Sequence, residues 1–338
     1  MDSERRASDP VICPIRQPRS EPQPDGAGHP SDGARVQHRA DWLAARRALE
    51  AQPLHSTPGG LRRVLEIPDW FKSTIGLGLR AMGMWRRGIA NGLDLRLRPL
   101  ELQASGLPEV FDGYRILHLT DPHFDAADGL AQAIVERVRG LEVDLCALTG
   151  DFRRRDRGAF TELGILEPLG ALREQVKARD GFVATLGNHD GHDMVEPLER
   201  LGYRVLLNES TRIHRAGHRI AITGVDDVHR FYTPAARAVL ERRDVDFAIL
   251  LAHSPELAGE AAAAGYGLYL CGHCHGGQLC LPGGRAVVRR LVRHRAYYRG
   301  LWRCGDLIGY TSPGAGLSGL PVRYNCPPEV TLITLRAT

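Results

Sequence analysis

What narrows the fold of this chain most is a pattern repeated five times: a short apolar, β-prone run that stops abruptly at Asp, Asn or His. Residues 114–120 run into Asp121-Pro122-His123, residues 143–149 into Gly150-Asp151, and residues 182–186 into Gly187-Asn188-His189-Asp190. Residues 246–252 end at His253, and Leu268-Tyr269-Leu270-Cys271 leads into Gly272-His273-Cys274-His275. A sixth apolar run covers 219–225. Runs of this kind read as buried strands. Helical spacings lie between them, first at Leu130, Ile134, Val135 and Val138, then over residues 163–176. Strands alternating with helices predict a layered α/β fold.

Loops at strand ends are where such sheets assemble their sites. One Asp after a strand is commonly a helix N-cap. Five polar ends in succession are not accounted for in that way. His273 and His275 are two residues apart, so in an extended segment both imidazoles point the same way. Gly272, Gly276 and Gly277 let the backbone turn closely around whatever those rings hold. Imidazoles with carboxylates suit a divalent first-row metal. The stretch admits rival readings. Cys271-Gly272-His273-Cys274-His275 is a literal C-x-x-C-H, the attachment sequence of c-type haem. A zinc knuckle on Cys271, Cys274 and Cys280 lacks a clear fourth ligand. Histidines paired only within the loop are the plainest alternative. Haem attachment belongs to exported proteins, and the opening Met1-Asp2-Ser3-Glu4-Arg5-Arg6 has no apolar signal core.

Taken in order, these blocks are D-x-H, G-D, G-N-H-D, a lone His and G-H-x-H, and their succession resembles the calcineurin-like metallophosphoesterase superfamily. Gly276-Gly277-Gln278, Gly224-Val225-Asp226-Asp227 and the stretch from Ser312-Pro313-Gly314 through Pro321-Val322-Arg323-Tyr324-Asn325 are similar to one bacterial, often membrane-associated, phosphodiesterase branch. The likeness extends over roughly residues 95–338. It implies a layered α/β/β/α metallophosphoesterase sandwich holding two divalent ions (Mn, Fe or Zn). By the same resemblance, Asp121, His123 and His275 would hold one ion, and Asn188, His253 and His273 the other, with Asp151 bridging. His189 would stabilise transition-state charge or protonate the leaving oxygen, with Asp190 orienting it. The implied reaction is in-line attack of a metal-activated water on a phosphodiester or pyrophosphate bond. The implied substrate is lipid-linked or nucleotide-linked. A c-type haem protein, or a cyclic-nucleotide or phosphomonoester hydrolase of the same fold, stands as the alternative.

Arginine supplies nearly all the positive charge, since Lys72 and Lys177 are the only lysines and the net charge is +4. Arg153, Arg154 and Arg155 directly follow Asp151, and Arg153 is the candidate for gripping a substrate phosphate, because guanidinium matches its oxygens bidentately. A solvated charge run is the plainer reading of that triplet. Arg285, Arg289, Arg290, Arg293, Arg295, Arg299 and Arg303 form a second basic run just past the paired histidines.

Residues 1–60 are rich in Pro, Ser, Gly and Arg and predict a largely disordered region, relieved by a short helix over 39–50. Residues 61–94 predict a basic amphipathic arm. The window 61–100 carries eight basic residues against Glu66, Asp69 and Asp94, interleaved with Trp70, Phe71, Met82 and Trp85. Such a mixture suits peripheral contact with an anionic membrane, or packing on the domain's own surface. Residues 95–338 are then the metallophosphoesterase domain. No run reaches the ~20 apolar residues of a membrane span. The chain therefore reads as cytoplasmic, peripheral on the inner membrane face, with nucleic acid an unlikely partner.

Overall fold

The computed structural model describes residues 32–52, 69–154, 164–241 and 245–338. Three helices come first: α1 (Asp32–Glu50), α2 (Asp69–Ala81) and α3 (Trp85–Leu93). Then follow β1 (Arg96–Ala104), β2 (Tyr114–Leu119), α4 (Leu130–Val138), β3 (Glu142–Val143), β4 (Leu145–Thr149), α5 (Leu166–Gln175) and β5 (Lys177–Ala178). The middle of the chain supplies β6 (Phe182–Thr185), α6 (Val195–Arg200), β7 (Tyr203–Val205), β8 (Glu209–Arg215), β9 (His218–Gly224) and α7 (Pro234–Ala238). The remainder is β10 (Phe247–Leu251), α8 (Ala258–Ala263), β11 (Leu268–Cys271), β12 (Gly300–Cys304), β13 (Leu307–Thr311) and β14 (Glu329–Ala337).

The strands form two six-stranded sheets, ordered β1-β14-β2-β4-β6-β7 and β12-β13-β11-β10-β9-β8, while β3 and β5 pair apart. Within the first sheet β2, β4, β6 and β7 run parallel; in the second, β9, β10, β11 and β13 do. Strands covered on both faces need apolar side chains on both, and β4 and β10 are buried at every position. Ile116, Ala147 and Val183 of the first sheet meet Ile222, Ile249 and Leu270 of the second in one core. The first sheet's other face packs Leu117, Leu148 and Ala184 against Ile134, Val138 and Leu169 of its helices. The second packs Leu250 and Tyr269 against Ala258 and Ala261. The result is the α/β/β/α sandwich that the resemblance implied.

The N-terminal third is more ordered than the composition of residues 1–60 suggests. α1 begins seven residues earlier than the expected 39, inside the stretch read as disordered, and buries Trp42 and Arg46. Tertiary docking outweighs its polar composition, which is all that the sequence displays. Residues 69–94 are likewise part of the packed structure. In α3, Gly88 lies against Val322 and Tyr324 so closely that a Cβ would sit 2.7 Å from Val322. Its carbonyl accepts the Arg323 N–H at 2.9 Å, and Asn91 Nδ2 donates to the Arg323 carbonyl at 2.9 Å. α2 is different on its outer side, where Trp70 and Leu77 are each 69% exposed. Residues 1–31 and 53–68, and Arg155, lie outside the described residues.

Candidate metal centre

Each expected ligand sits in the loop directly following a strand: Asp121 and His123 after β2, Asp151 after β4, Asn188 after β6, His253 after β10, and His273 and His275 after β11. Five of these seven have left-handed backbone, with φ of 50° at Asp121, 40° at His123, 57° at Asp151, 72° at His273 and 48° at His275. Asp, Asn and His tolerate that region better than other side-chain-bearing residues, and strain of this kind concentrates at functional sites. Two glycines make room. A Cβ on Gly187 would lie 2.2 Å from Asp151 Oδ1, and one on Gly272 would lie 2.1 Å from Asp121 Oδ2.

Among the described residues two closed groups emerge, Asp121/His123/His275 and Asp121/Asp151/His253, all buried. His275 Nε2 is 3.3 Å from Asp121 Oδ1 and 3.2 Å from His123 Nε2. Asp151 Oδ2 lies between the groups, 3.2 Å from His253 Nε2 and 3.6 Å from His123 Nε2. Asn188 and His273 stand beside His253 and bond to one another, Nδ1 to Oδ1, at 2.9 Å. The His273 ring meets the His253 ring edge-on at 5.1 Å, while its Nε2 faces the Arg290 carbonyl at 3.1 Å. Arg290 of the basic run therefore lies beside the site.

The donor set fits divalent cations. His123 Nδ1 faces the Arg153 carbonyl and His253 Nδ1 the Thr149 carbonyl, both at 2.8 Å, so each Nδ1 carries a proton and each Nε2 is turned toward the carboxylates. Asp121 Oδ1 and His253 Nε2 are buried without a hydrogen-bond partner. Burial drives the His123 pKa down to about 4 and holds His275 well below the usual imidazole value, keeping both neutral, the ligating form. At Asp121, burial chiefly, with the charge of Asp151, pushes the carboxyl up to about 6 against the pull of His253. Burial opposes ionisation of Asp151 as well, but His253, His189 and His123 outweigh it and hold that carboxyl well below its ordinary range. Burial pulls His253 down, yet Asp151 and Asp121 together hold it well above the ordinary value. The acids demand positive charge at this point.

Around the ligands stands a frame that the sequence disclosed only in part. Thr120 Oγ1 donates to Asp121 Oδ2 at 2.8 Å, and the His273 N–H donates to the same oxygen at 2.9 Å. Arg323, fully buried, donates to the carbonyls of Pro313, Gly316 and His275 at 2.7, 2.6 and 3.3 Å. Gln278 fastens residues 318–322, donating to the Ser318 and Leu320 carbonyls and accepting the Ser318 N–H. These two bonding patterns give the Gly-Gly-Gln and Val-Arg-Tyr-Asn motifs a physical purpose. His229, buried, stacks on His273 with centroids 4.1 Å apart and 20° between planes.

Two expected roles change. The Asp190 carboxylate does not turn to the His189 ring. It accepts the backbone N–H groups of Asp151 and Gly187, each at 2.7 Å, and of Phe152 at 3.0 Å, tying two ligand loops together. Nor do Arg153 and Arg154 form a solvated run. Arg153 is buried and its Nε donates to the His189 carbonyl at 2.8 Å; Arg154 Nη2 donates to the Gly319 carbonyl at 2.9 Å. Loops that converge on buried ligands have carbonyls needing donors, and these guanidinium groups meet that need. The haem alternative meets an obstacle as well: Cys271 lies in the apolar core, its Sγ 3.2 Å from Thr311 Oγ1, while His275 points to Asp121.

A layered α/β sandwich whose strand-end loops converge on buried Asp and His clusters defines a metallohydrolase class of site. A model of the calcineurin-like phosphoesterase family matches residues 114–277. The chain is 31% identical over 253 residues to the uncharacterized metallophosphoesterase YkoQ of Bacillus subtilis, covering 71% of this chain and 90% of that one. It is 31% identical over 233 residues to the phosphodiesterase YaeI of Escherichia coli, covering 66% and 82%. It is also 30% identical over 260 residues to a transmembrane protein with metallophosphoesterase domain from Danio rerio, covering 70% of this chain and 56% of that one. This chain belongs to the calcineurin-like metallophosphoesterases and is a hydrolase acting on phosphate esters.

Proposed function

We propose that the chain hydrolyses phosphodiester or pyrophosphate bonds, with a pair of divalent ions (Mn, Fe or Zn), in a substrate whose phosphate is joined to a lipid or a nucleotide. Asp121, His123 and His275 would hold one ion, Asn188, His253 and His273 the second, and Asp151 stands between them. The chemistry such a pair supplies when bound is activation of water near neutral pH and neutralisation of charge on the phosphoryl oxygens. The protein's own groups do the rest. His189, half-buried beside His123 with ring centroids 5.3 Å apart, delivers a proton to the leaving oxygen. Its backbone is held at both ends, the N–H by Asp151 Oδ1 at 2.9 Å and the carbonyl by Arg153.

The observation favouring a lipid-linked substrate is a cavity of about 280 Å³ that has His275 among its lining residues. Its walls include Ile75, Leu279, Val287 and Leu320, and Lys72 and Arg290 add positive charge. An apolar space sharing a wall residue with the expected ligand set suits a phosphate with an apolar tail. The cavity's Ile75 side is α2, whose exposed Trp70 and Leu77 and whose Lys72 and Arg80, with the exposed Met82 just after it, suit an anionic lipid surface. Among the described residues no helix is long and apolar enough to cross a membrane, and each basic residue near such a surface contributes about 1 kcal/mol. We therefore infer peripheral, salt-sensitive membrane association.

A substrate panel tests this reading: a nucleotide-linked diacyl lipid, bis-p-nitrophenyl phosphate, a cyclic nucleotide and a simple monoester, each with Mn, Fe or Zn. The lipid substrate should give the highest kcat/KM, and Leu320→Arg should depress that value alone. Preference for the monoester or the cyclic nucleotide overturns the lipid reading. Sedimentation with anionic vesicles at low and high salt tests the location, and failure to bind at low salt refutes it.

A further inference from the structure

Residues 42, 46 and 50 recur every fourth position along α1 and so lie on one face of the helix. That face carries Trp42, Arg46 and Glu50, and all three reach the catalytic half of the molecule. Trp42 Nε1 donates to Asp226 Oδ2 at 2.8 Å and Arg46 Nη1 to Asp226 Oδ1. Arg46 Nη2 donates to the Asp190 carbonyl, its Nε to Glu50 Oε1 at 2.9 Å. Glu50 in turn accepts the His192 backbone N–H at 2.9 Å and pairs with the His192 ring. The Arg46 guanidinium is wholly buried and lies 3.3 Å over the centre of the Phe231 ring.

Two of these contacts, Arg46 to the Asp190 carbonyl and Glu50 to His192, reach the loop bearing His189; the others anchor the helix on Asp226. Three successive carbonyls of that loop each accept from a different arginine: Asn188 from Arg230 at 3.3 Å, His189 from Arg153 at 2.8 Å, and Asp190 from Arg46. Arg153 and Arg230 belong to the region matching the family; Arg46 lies well before it. A loop without regular structure has no ladder to fix its carbonyls. Buried, charge-assisted bonds are the strong way of doing so.

We propose that α1 is a working part of the active site, a strap that fixes the His189 loop in its proton-delivering geometry, with Arg46 as the positioning residue. The inference rests on the phosphoester-hydrolase reading. His189 protonates the oxygen of the departing alcohol as the P–O bond breaks, so its placement matters most when that alcohol is a poor leaving group. Misplacing it therefore has a signature that general weakening of the fold lacks.

The test compares the full-length, metal-loaded wild type with Arg46→Met and Arg46→Lys on two diesters, bis-p-nitrophenyl phosphate and unsubstituted diphenyl phosphate. Arg46→Met should lower kcat for diphenyl phosphate by about 10–100-fold, a part of the full effect of losing a general acid. For the p-nitrophenyl ester the loss should stay under about threefold, with metal content unchanged, and Arg46→Lys should recover part of it. His189→Ala should show the same leaving-group pattern, and Arg46→Met added to it should cost diphenyl phosphate turnover nothing more, because coupled residues are not additive. Equal losses on both esters, or additive losses in the double variant, overturn the proposal. Should Arg46→Met not fold, Trp42→Phe and Glu50→Gln each loosen the strap by one link; a smaller leaving-group-dependent loss supports the proposal and a uniform loss refutes it. A wild type that cleaves neither ester with any metal refutes the hydrolase reading instead, independently of Arg46.

Discussion

Replacing Asp190 with Asn asks what that carboxylate is for. Its Oδ2 accepts two backbone N–H groups at 2.7 Å and its Oδ1 one at 3.0 Å. An amide has a single acceptor oxygen, which will take the Oδ2 place and keep two bonds. The NH₂ group then faces the Phe152 N–H, donor against donor. Losing one charge-assisted bond and leaving a buried donor unmet costs about 1.5–3 kcal/mol. A partial offset comes from burial and the neighbouring Asp151, which already push the Asp190 carboxyl up to about 6, so a neutral side chain is less penalised there. The net expectation is a loss of about 1–3 kcal/mol. At about 2–4 °C per kcal/mol, the melting temperature should fall by roughly 2–12 °C. Calorimetry on metal-loaded wild type, Asp190→Asn and His189→Ala reads this directly. His189→Ala, with its ring half-exposed, should melt close to wild type while turnover collapses. If Asp190→Asn melts with wild type and instead loses turnover as His189→Ala does, the carboxylate orients the catalytic ring and the scaffold role assigned to it is wrong.

Asp151→Asn should abolish turnover and lower bound metal, measured by elemental analysis, because Asp151 is the acid lying between the two histidine groups; retained stoichiometric metal would contradict that placement. Chelation should remove activity, and Mn, Fe or Zn should restore it; activity surviving exhaustive chelation would count against the metal centre. Gly309→Ala would put a Cβ 2.1 Å from the buried Trp302 ring. Overpacking of that sort costs about 1–3 kcal/mol, so the variant should unfold at lower urea. For Glu50, burial raises the pKa, but His192 and Arg46 outweigh it and hold the carboxyl below its ordinary 4.5. A depressed carboxyl stabilises above its unfolded value and loses that contribution as the pH falls through the folded one. Hydrogen-exchange protection of α1 should therefore drop below about pH 4.5 in wild type, with Glu50→Gln showing no such step.

The five ligand-bearing strand ends were legible because residue type and position carry the signal together: apolar runs stop, and Asp, Asn or His follows. β11, predicted over 268–271, has those bounds. What the sequence left open is what tertiary contact decides. Arg323 and Gln278 stood in motifs with no stated purpose, since their partners are carbonyls of loops brought near only by folding. Arg46 is one arginine in a chain whose basic residues are nearly all arginine, so nothing local marks it. The four-residue spacing of Trp42, Arg46 and Glu50 was the available sign. Asp190 was misread for a related reason: adjacency to His189 in sequence suggests contact, whereas the backbone turns its carboxylate back to Asp151 and Gly187. The polar composition of 1–60 concealed residues 32–38 of α1, beyond the helix expected over 39–50.

The place of β14 has a consequence for the order in which this protein can be built. Arg96 of β1 pairs with Glu329, and His118 of β2 with Thr331, so β14 fills the space between two strands synthesised long before it. Until residues 329–337 arrive, β1 has no partner in the sheet, and β2 is paired only with β4. The nascent chain thus carries an open strand edge next to the loop of Asp121 and His123, and open edges recruit other strands. Pairings that span such separations close slowly. Metal ligation by Asp121 and His275 must wait as well, since β11 and its loop also come late. Completion of this sheet therefore waits on β14, and the edges of β1 and β2 stay open while everything between β2 and β14 is being made.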